Sequence, residues 1–229
     1  MSEDLLKVIA VVSMLVDHTG YVLFPQNSYM TIIGRIAFPV YAFMIAEGFC
    51  HSRDVKRYAL RLFAFALISE VPFDLAFYET FWSPDHQNVF WTLFLGLAAL
   101  ICIERITVEE RWLRTTLQVI CTLPFGAVAQ LMHTDYRWLG VGLIAGFYIL
   151  REMGTMRLLL IPLFLNSVFS GTLENYGALG MIPLYFYNGK RRYTGKGVRL
   201  AFYILYPVHL LVLWVIKTAA AGMQPGGMI

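Results

Sequence analysis

Apolar runs interrupted by charged residues or by Pro, Gly and Asn repeat along the chain from residue 5 onward. The runs at 5 to 24, 30 to 50, 58 to 78, 88 to 104, 113 to 131, 138 to 150, 157 to 170, 176 to 187 and 199 to 217 each predict a helix. A helix that crosses the hydrocarbon core of a bilayer needs roughly 20 residues. The runs at 138 to 150 and 176 to 187 fall short of that, and are expected to be partial or shielded by neighbouring protein. The expected fold class is therefore all-α, a polytopic integral membrane bundle of about nine segments, eight to ten at the limits. No internal repeat, linker or low-complexity stretch divides it, so residues 1 to 229 are read as a single domain.

The placement of charge gives this pattern an orientation. Short cytoplasmic loops collect Lys and Arg, and alternate breaks of the chain do so here. One set holds Lys7, Arg53, Lys56, Arg57, Arg61, Arg105, Arg111, Arg114, Arg151, Arg157, Lys190, Arg191, Arg192, Lys196 and Arg199. The other holds only Arg137 and Lys217, and Arg35 falls within a run. The expected topology has the N-terminus cytoplasmic and the C-terminus outside. The segment MSEDLLK is net acidic, and the run after it carries Asp17 and His18 without a small-residue cleavage site, so the first span is expected to be retained.

Composition agrees with a lipid environment: 58% of residues are hydrophobic, 14% are charged and the mean hydropathy is +0.61. A net charge of +3, spread in short clusters, gives no nucleic-acid footprint. Cys50, Cys102 and Cys121 stand alone in apolar segments, so neither a disulfide framework nor a metal site is expected. Gly142 and Gly146 form one GxxxG, a spacing that predicts close helix packing.

Against that background, the polar residues of the first three spans stand out. A charged side chain at the bilayer centre costs about 2.5–3.5 kcal/mol on insertion scales, yet Asp17, His18, Arg35, Glu47, Glu70 and Asp74 all lie there. At about 1.5 Å rise per residue, His18 lies about 20 Å and Glu70 about 18 Å from the cytoplasmic starts of their spans, and Arg35 about 7 Å from the outer side. The three share the outer half, where Asp74 and Asn88 can join them in one polar cavity. Imidazole takes and returns a proton near neutral pH, which makes His18 the chemical centre. Asp17 is about 100° from His18 around the helix and either orients it indirectly or pairs with Arg35. For Arg35 the choice is between a salt bridge to Glu70 or Asp17 and contact with substrate. Pro72 offers a structural account of Glu70 and Asp74, a kink held by buried carboxylates. Glu47 and His51, at i and i+4, are read as snorkelling or capping. Asn88 and Thr92 share a face, as packing glue or as a substrate contact. In the last run Tyr206 and His209 flank Pro207 and either line a cavity or form an aromatic packing face.

The order of motifs, MLVDHTG, GRIAFPVYAFMIAEGFCHSRDVKRYALRL, FALISEVPFDLAF, NVFWTLFLGL, YNGKRR and FYILYPVHL, resembles the TraX family. The resemblance is strongest over residues 7 to 96. It implies a multi-pass protein of the bacterial inner membrane, linked to N-terminal acetylation of conjugative pilin and similar to membrane acyltransferases that use cytoplasmic acetyl-CoA. Carried over by motif, it makes His18 the catalytic histidine with Asp17 beside it, and Arg35 and Glu70 its cavity partners. His18 then either accepts a proton from an attacking amine or hydroxyl, or takes the acetyl group itself. Arg35 or Asn88 steadies the oxyanion, and Asp74, Asn88, Thr92, Tyr206 and His209 are candidate substrate contacts. Arg53, Arg57, Lys190, Arg191 and Arg192 are the expected phosphate contacts of acetyl-CoA. The acceptor is a pilin, a glycan or a small amine. A proton-coupled transporter built on the same polar residues and a non-catalytic pilus assembly factor are the competing classes.

Overall fold

In a computed structural model the chain is described over residues 1–156, 160–162, 173–190 and 195–222. Nine α-helices are found among the described residues: α1 (Glu3–Leu23), α2 (Ser28–Gly34), α3 (Ala37–His51), α4 (Val55–Tyr78), α5 (Val89–Ile103), α6 (Arg111–Leu131), α7 (Arg137–Ile149), α8 (Met181–Tyr185) and α9 (Lys196–Gly222). Tight 3₁₀ stretches run over Leu150–Met156 and Leu173–Gly180. The described residues contain no strand, only an isolated bridge between Gln87 and Thr134. Most of the run expected at 157 to 170 lies outside the described residues, as do Arg157, Arg191 and Arg192.

Among the described residues, three helical segments are long and apolar enough to cross a membrane: Glu3–Leu23, Ser28–His51 and Leu200–Ala221, with Val89–Ile103 shorter but apolar. The run expected at 176 to 187 is a 3₁₀ stretch followed by the single turn α8. The run at 30 to 50 also differs from its expectation, because it is broken at Arg35–Ile36 into α2 and α3. Pro39 explains the break. It has no N–H to give the carbonyl of Arg35 four residues earlier, and its ring collides with that carbonyl in a continuous helix. The stretch Leu173–Gly180 packs on the joint, where a Cβ at Gly180 would come within 3.0 Å of the Ile36 carbonyl. By contrast, α4 continues through Pro72 to Tyr78.

The caps follow the sequence. Ser2 accepts from Leu5 N–H at 3.4 Å, Asp54 from Arg57 N–H at 3.0 Å and Asn88 from Phe90 N–H at 3.1 Å, each satisfying an orphan donor of a first turn. The core is built from α1, α3, α4, α5, α7 and α9, with Leu6, Leu62, Leu97, Leu100, Ile144, Phe147 and Leu210 fully buried. α9 packs against α4 and α1, and α5 lies between α4 and the α6–α7 pair. The GxxxG makes no close packing among the described residues: a Cβ at Gly142 or Gly146 meets none of their atoms within 4 Å. Close approach of α5 to α7 is made instead at Gly96, against Ile144, and at Gly140, against Thr92 and Phe38.

The two ends of the bundle differ. At one, the Met1 amine donates to the Phe186 carbonyl at 2.6 Å and Glu3 N–H to the Lys190 carbonyl at 3.3 Å, so the chain start meets the basic turn 188–190. Helix order puts Arg53, Lys56, Arg57, Arg105, Arg111 and Arg151 at this basic end too. At the other end Lys217 pairs with Glu79 at 2.6 Å, which holds the Glu79 carboxyl below its usual range. Tyr21, Phe24, Tyr29, Phe81 and Trp82 are exposed there. Glu47 and His51 form the i,i+4 contact read from sequence, with His51 Nδ1 donating to the Glu47 carbonyl at 2.9 Å.

Candidate functional site

α1 carries Asp17 and His18 toward the aromatic end, and the α2–α3 break delivers Arg35 beside them. All three line a cleft of about 170 Å³ closed by the end of α4, by Tyr206 in the interior of α9 and by the turns before α5 and α7. Gly34 makes the approach of α1 to α2 possible, since a Cβ there would occupy the space of the Asp17 side chain. On the basic side the cleft is floored by Met14 and Tyr41, whose hydroxyl donates to Met14 Sδ at 3.8 Å.

The His18 ring is fixed by contacts from two helices, α4 and α9. Phe77 of α4 meets it edge to face at 5.3 Å and Tyr206 of α9 at 5.8 Å. His209, one turn beyond Tyr206, lies 2.6 Å away between His18 Nδ1 and His209 Nε2. The two imidazoles are nearly parallel at 11° with centroids 4.9 Å apart, so nitrogens this much closer than the centroids mean that the rings meet edge to edge. His209 Nδ1 donates to the Leu205 carbonyl at 2.9 Å. Tyr206 borders the cleft, whereas His209 stands behind His18 and is buried.

Arg35 reaches Tyr136, whose hydroxyl lies 3.4 Å from Nη1. Tyr136 stacks on Phe38 at 3.7 Å and adopts the left-handed backbone region (φ 61°), as do His133 (φ 52°) and Arg137 (φ 46°) in the same turn. Thr92 braces this turn from α5. Its hydroxyl donates to the Asp135 carbonyl and so receives a proton from Thr134 Oγ1 at 2.9 Å. Asp135 N–H donates to the Gln87 carbonyl at 2.9 Å.

The single polar cavity expected from sequence is thus divided in two. Glu70, Asp74, Asn88 and Thr92 are buried and do not line the cleft. Glu70 Oε2 accepts from Asn88 Nδ2 at 2.5 Å and from Trp91 Nε1 at 2.9 Å. Asn88 Nδ2 also donates to the Ala66 carbonyl at 2.8 Å, so both its amide protons and its capping oxygen are committed. Asp74 Oδ2 accepts from Ser83 N–H at 2.9 Å and ties down the α4–α5 loop. These residues hold helices in register around the cleft. Of the expected phosphate contacts, Arg53, Arg57 and Lys190 lie at the basic end, away from the cleft lining, and Arg191 and Arg192 lie outside the described residues. Arg57 there pairs with Asp54 at 2.9 Å, and Arg53 and Lys190 are exposed.

The family model described as TraX protein matches residues 2–217. The chain belongs to the TraX family. This TraX protein is similar to the probable fimbrial assembly protein FimC, serogroup H1, of Dichelobacter nodosus, 28% identical over 234 residues that cover 91% of this chain and 92% of the relative. An uncharacterized protein of Rickettsia prowazekii (strain Madrid E) is 49% identical over 47 residues, 20% of this chain and 19% of the relative. No solved structure matches significantly. Family membership and the apolar helices make this TraX chain a membrane protein.

Sequence reasoning missed Met14, Tyr41, Phe77, Asp135 and Tyr136 as cleft residues. Met14 one turn before His18 carried a helical signal. Tyr136 carried none, because its place depends on a turn whose backbone conformation no pattern announces.

Proposed function

We propose that this TraX protein is a multi-pass acetyltransferase of the bacterial inner membrane that moves an acetyl group from cytoplasmic acetyl-CoA to a pilus-related amine acceptor. The observation that carries this reading is His18, held by aromatic rings in a small cleft that also contains the Arg35 guanidinium. The family supports the acetyl chemistry, and the name of the Dichelobacter relative supports the pilus connection. The topology proposed with it is about nine segments with the basic end cytoplasmic, supported by the clustered Lys and Arg there.

The cleft suits a small acyl group and the atoms that attack it, with the bulk of coenzyme A outside. The unprotonated amine nitrogen adds to the thioester carbonyl while His18 takes an N–H proton. The new C–N bond remains, the C–S bond breaks, and His18 returns the proton to the leaving thiolate. Arg35 steadies the negative oxygen between these events. Asn88 is unsuited to that role, since its amide protons are engaged by Ala66 and Glu70.

Labelled acetyl-CoA, purified protein and a panel of pilin and small-amine acceptors test the proposal. Transfer that falls by about 10²–10⁴-fold in His18→Ala is expected. Full transfer by His18→Ala would sink it. A non-catalytic assembly role is the second reading, favoured by the name of the Dichelobacter relative; it predicts pilus assembly that survives His18→Ala.

A further inference from the structure

We infer that His209 is a positioning residue that fixes His18 in the tautomer protonated on Nδ1, leaving His18 Nε2 as the atom that accepts the acceptor's proton; the inference rests on the acetyl-transfer reading above. Two hydrogen bonds in sequence decide it. The Leu205 carbonyl can only accept, so the 2.9 Å contact puts the His209 proton on Nδ1. In the neutral ring, Nε2 of His209 is then a bare acceptor, and the 2.6 Å bond to it requires a proton on His18 Nδ1. With that proton committed, the acceptor lone pair of the His18 ring is on Nε2.

The contact geometry favours this reading over simple packing. The rings meet edge to edge at 11°, which keeps the shared proton in both ring planes. Tyr206, on the same helix as His209, stands edge-on to both imidazoles, at 5.8 Å and 5.5 Å, and limits rotation of either ring. The arrangement gives a histidine the orienting task that a carboxylate performs in hydrolase triads. A neutral orienting group suits an apolar membrane interior, where a carboxylate would carry a large desolvation cost.

The full-length protein in detergent, labelled with ¹⁵N-histidine, tests the tautomer directly, with His18 assigned by its absence in His18→Gln. Wild type is expected to show His18 protonated on Nδ1 and bare on Nε2; the opposite tautomer in wild type overturns the inference whatever the activity. Two amides of equal polarity test the role. Gln at 209 brings its oxygen near the former Nε2 and is expected to keep the tautomer and kcat within about tenfold, whereas Asn is too short to reach His18 and is expected to lose both, with kcat down by about 10²–10³-fold and KM for acetyl-CoA little changed. Equal kcat in His209→Gln and His209→Asn also overturns it. A wild-type protein that shows the Nδ1-protonated tautomer but transfers no acetyl group would overturn the proposed function, not the assignment of His209 as the group that sets the His18 tautomer.

Discussion

Asn88 caps α5 and clamps Glu70 in α4 at once: its Oδ1 accepts from Phe90 N–H at 3.1 Å while its Nδ2 donates to Glu70 Oε2 at 2.5 Å. Replacing it by Ala removes a cap and one of the two donors of a buried carboxyl. The expected loss is about 2–4 kcal/mol, read as a lowered Tm at fixed scan rate in detergent. Asn88→Asp, which sets carboxyl against carboxyl, should unfold at a lower temperature still. A Tm equal to wild type in both variants would mean that this junction does not hold α4 to α5.

Gly34 and Gly142 should respond oppositely to alanine. At Gly34 the added methyl meets Asp17 and forces α1 from α2, with an expected cost of about 1–3 kcal/mol. At Gly142 it lies within a helix and meets none of the described residues, so a gain of about 0.5–1 kcal/mol is expected. Paired Tm measurements check both signs, and Gly34→Ala should also depress acetyl transfer because His18 follows Asp17 on α1.

Arg35 is assigned the developing oxyanion, a role that needs a directed donor. Loss of one such donor costs about 10²–10³-fold in kcat, and that fall is expected for Arg35→Ala. Tyr136→Phe keeps the Phe38 stack and removes only the hydroxyl 3.4 Å from Arg35, so its effect should be smaller. A Tyr136→Phe enzyme slower than Arg35→Ala would assign the hydroxyl, not the guanidinium, to the chemistry.

Met14 and Tyr41 lie between His18 and the basic end, on the route a pantetheine arm from the cytoplasm would take. Narrowing that floor with Met14→Phe is expected to raise KM for acetyl-CoA by about tenfold, about 1.4 kcal/mol, and to leave KM for the acceptor unchanged. Initial-rate kinetics with each substrate varied in turn would show it. A rise confined to the acceptor would place the coenzyme on the other side.

The orientation has its own test in whole cells. In a cysteine-free background, a single cysteine at Gln26 should react with an impermeant maleimide added outside. One at Arg53 should react only after the membrane is opened. The reverse labelling pattern would invert the topology and put the cleft on the cytoplasmic side.

The helices, the separation of a basic end from a sparsely charged one and the presence of His18 and other polar residues within the first apolar runs were legible in the sequence. Each rests on a local quantity: apolar run length, alternation of charge between loops, or the cost of a polar side chain in lipid. Pro39 carried a local signal for the α2–α3 break, though the apolar run around it obscured that signal. Tertiary structure decided which polar residues meet. Glu70 and His18 lie at similar depths in their helices, but helix rotation turns Glu70 into the α4–α5 junction with Asn88 and Trp91, and His18 toward α9. Depth follows from rise per residue and can be counted along a chain. Azimuth follows from how six helices pack, which is why the pairing of His18 with a residue 191 positions away became visible only in the folded molecule.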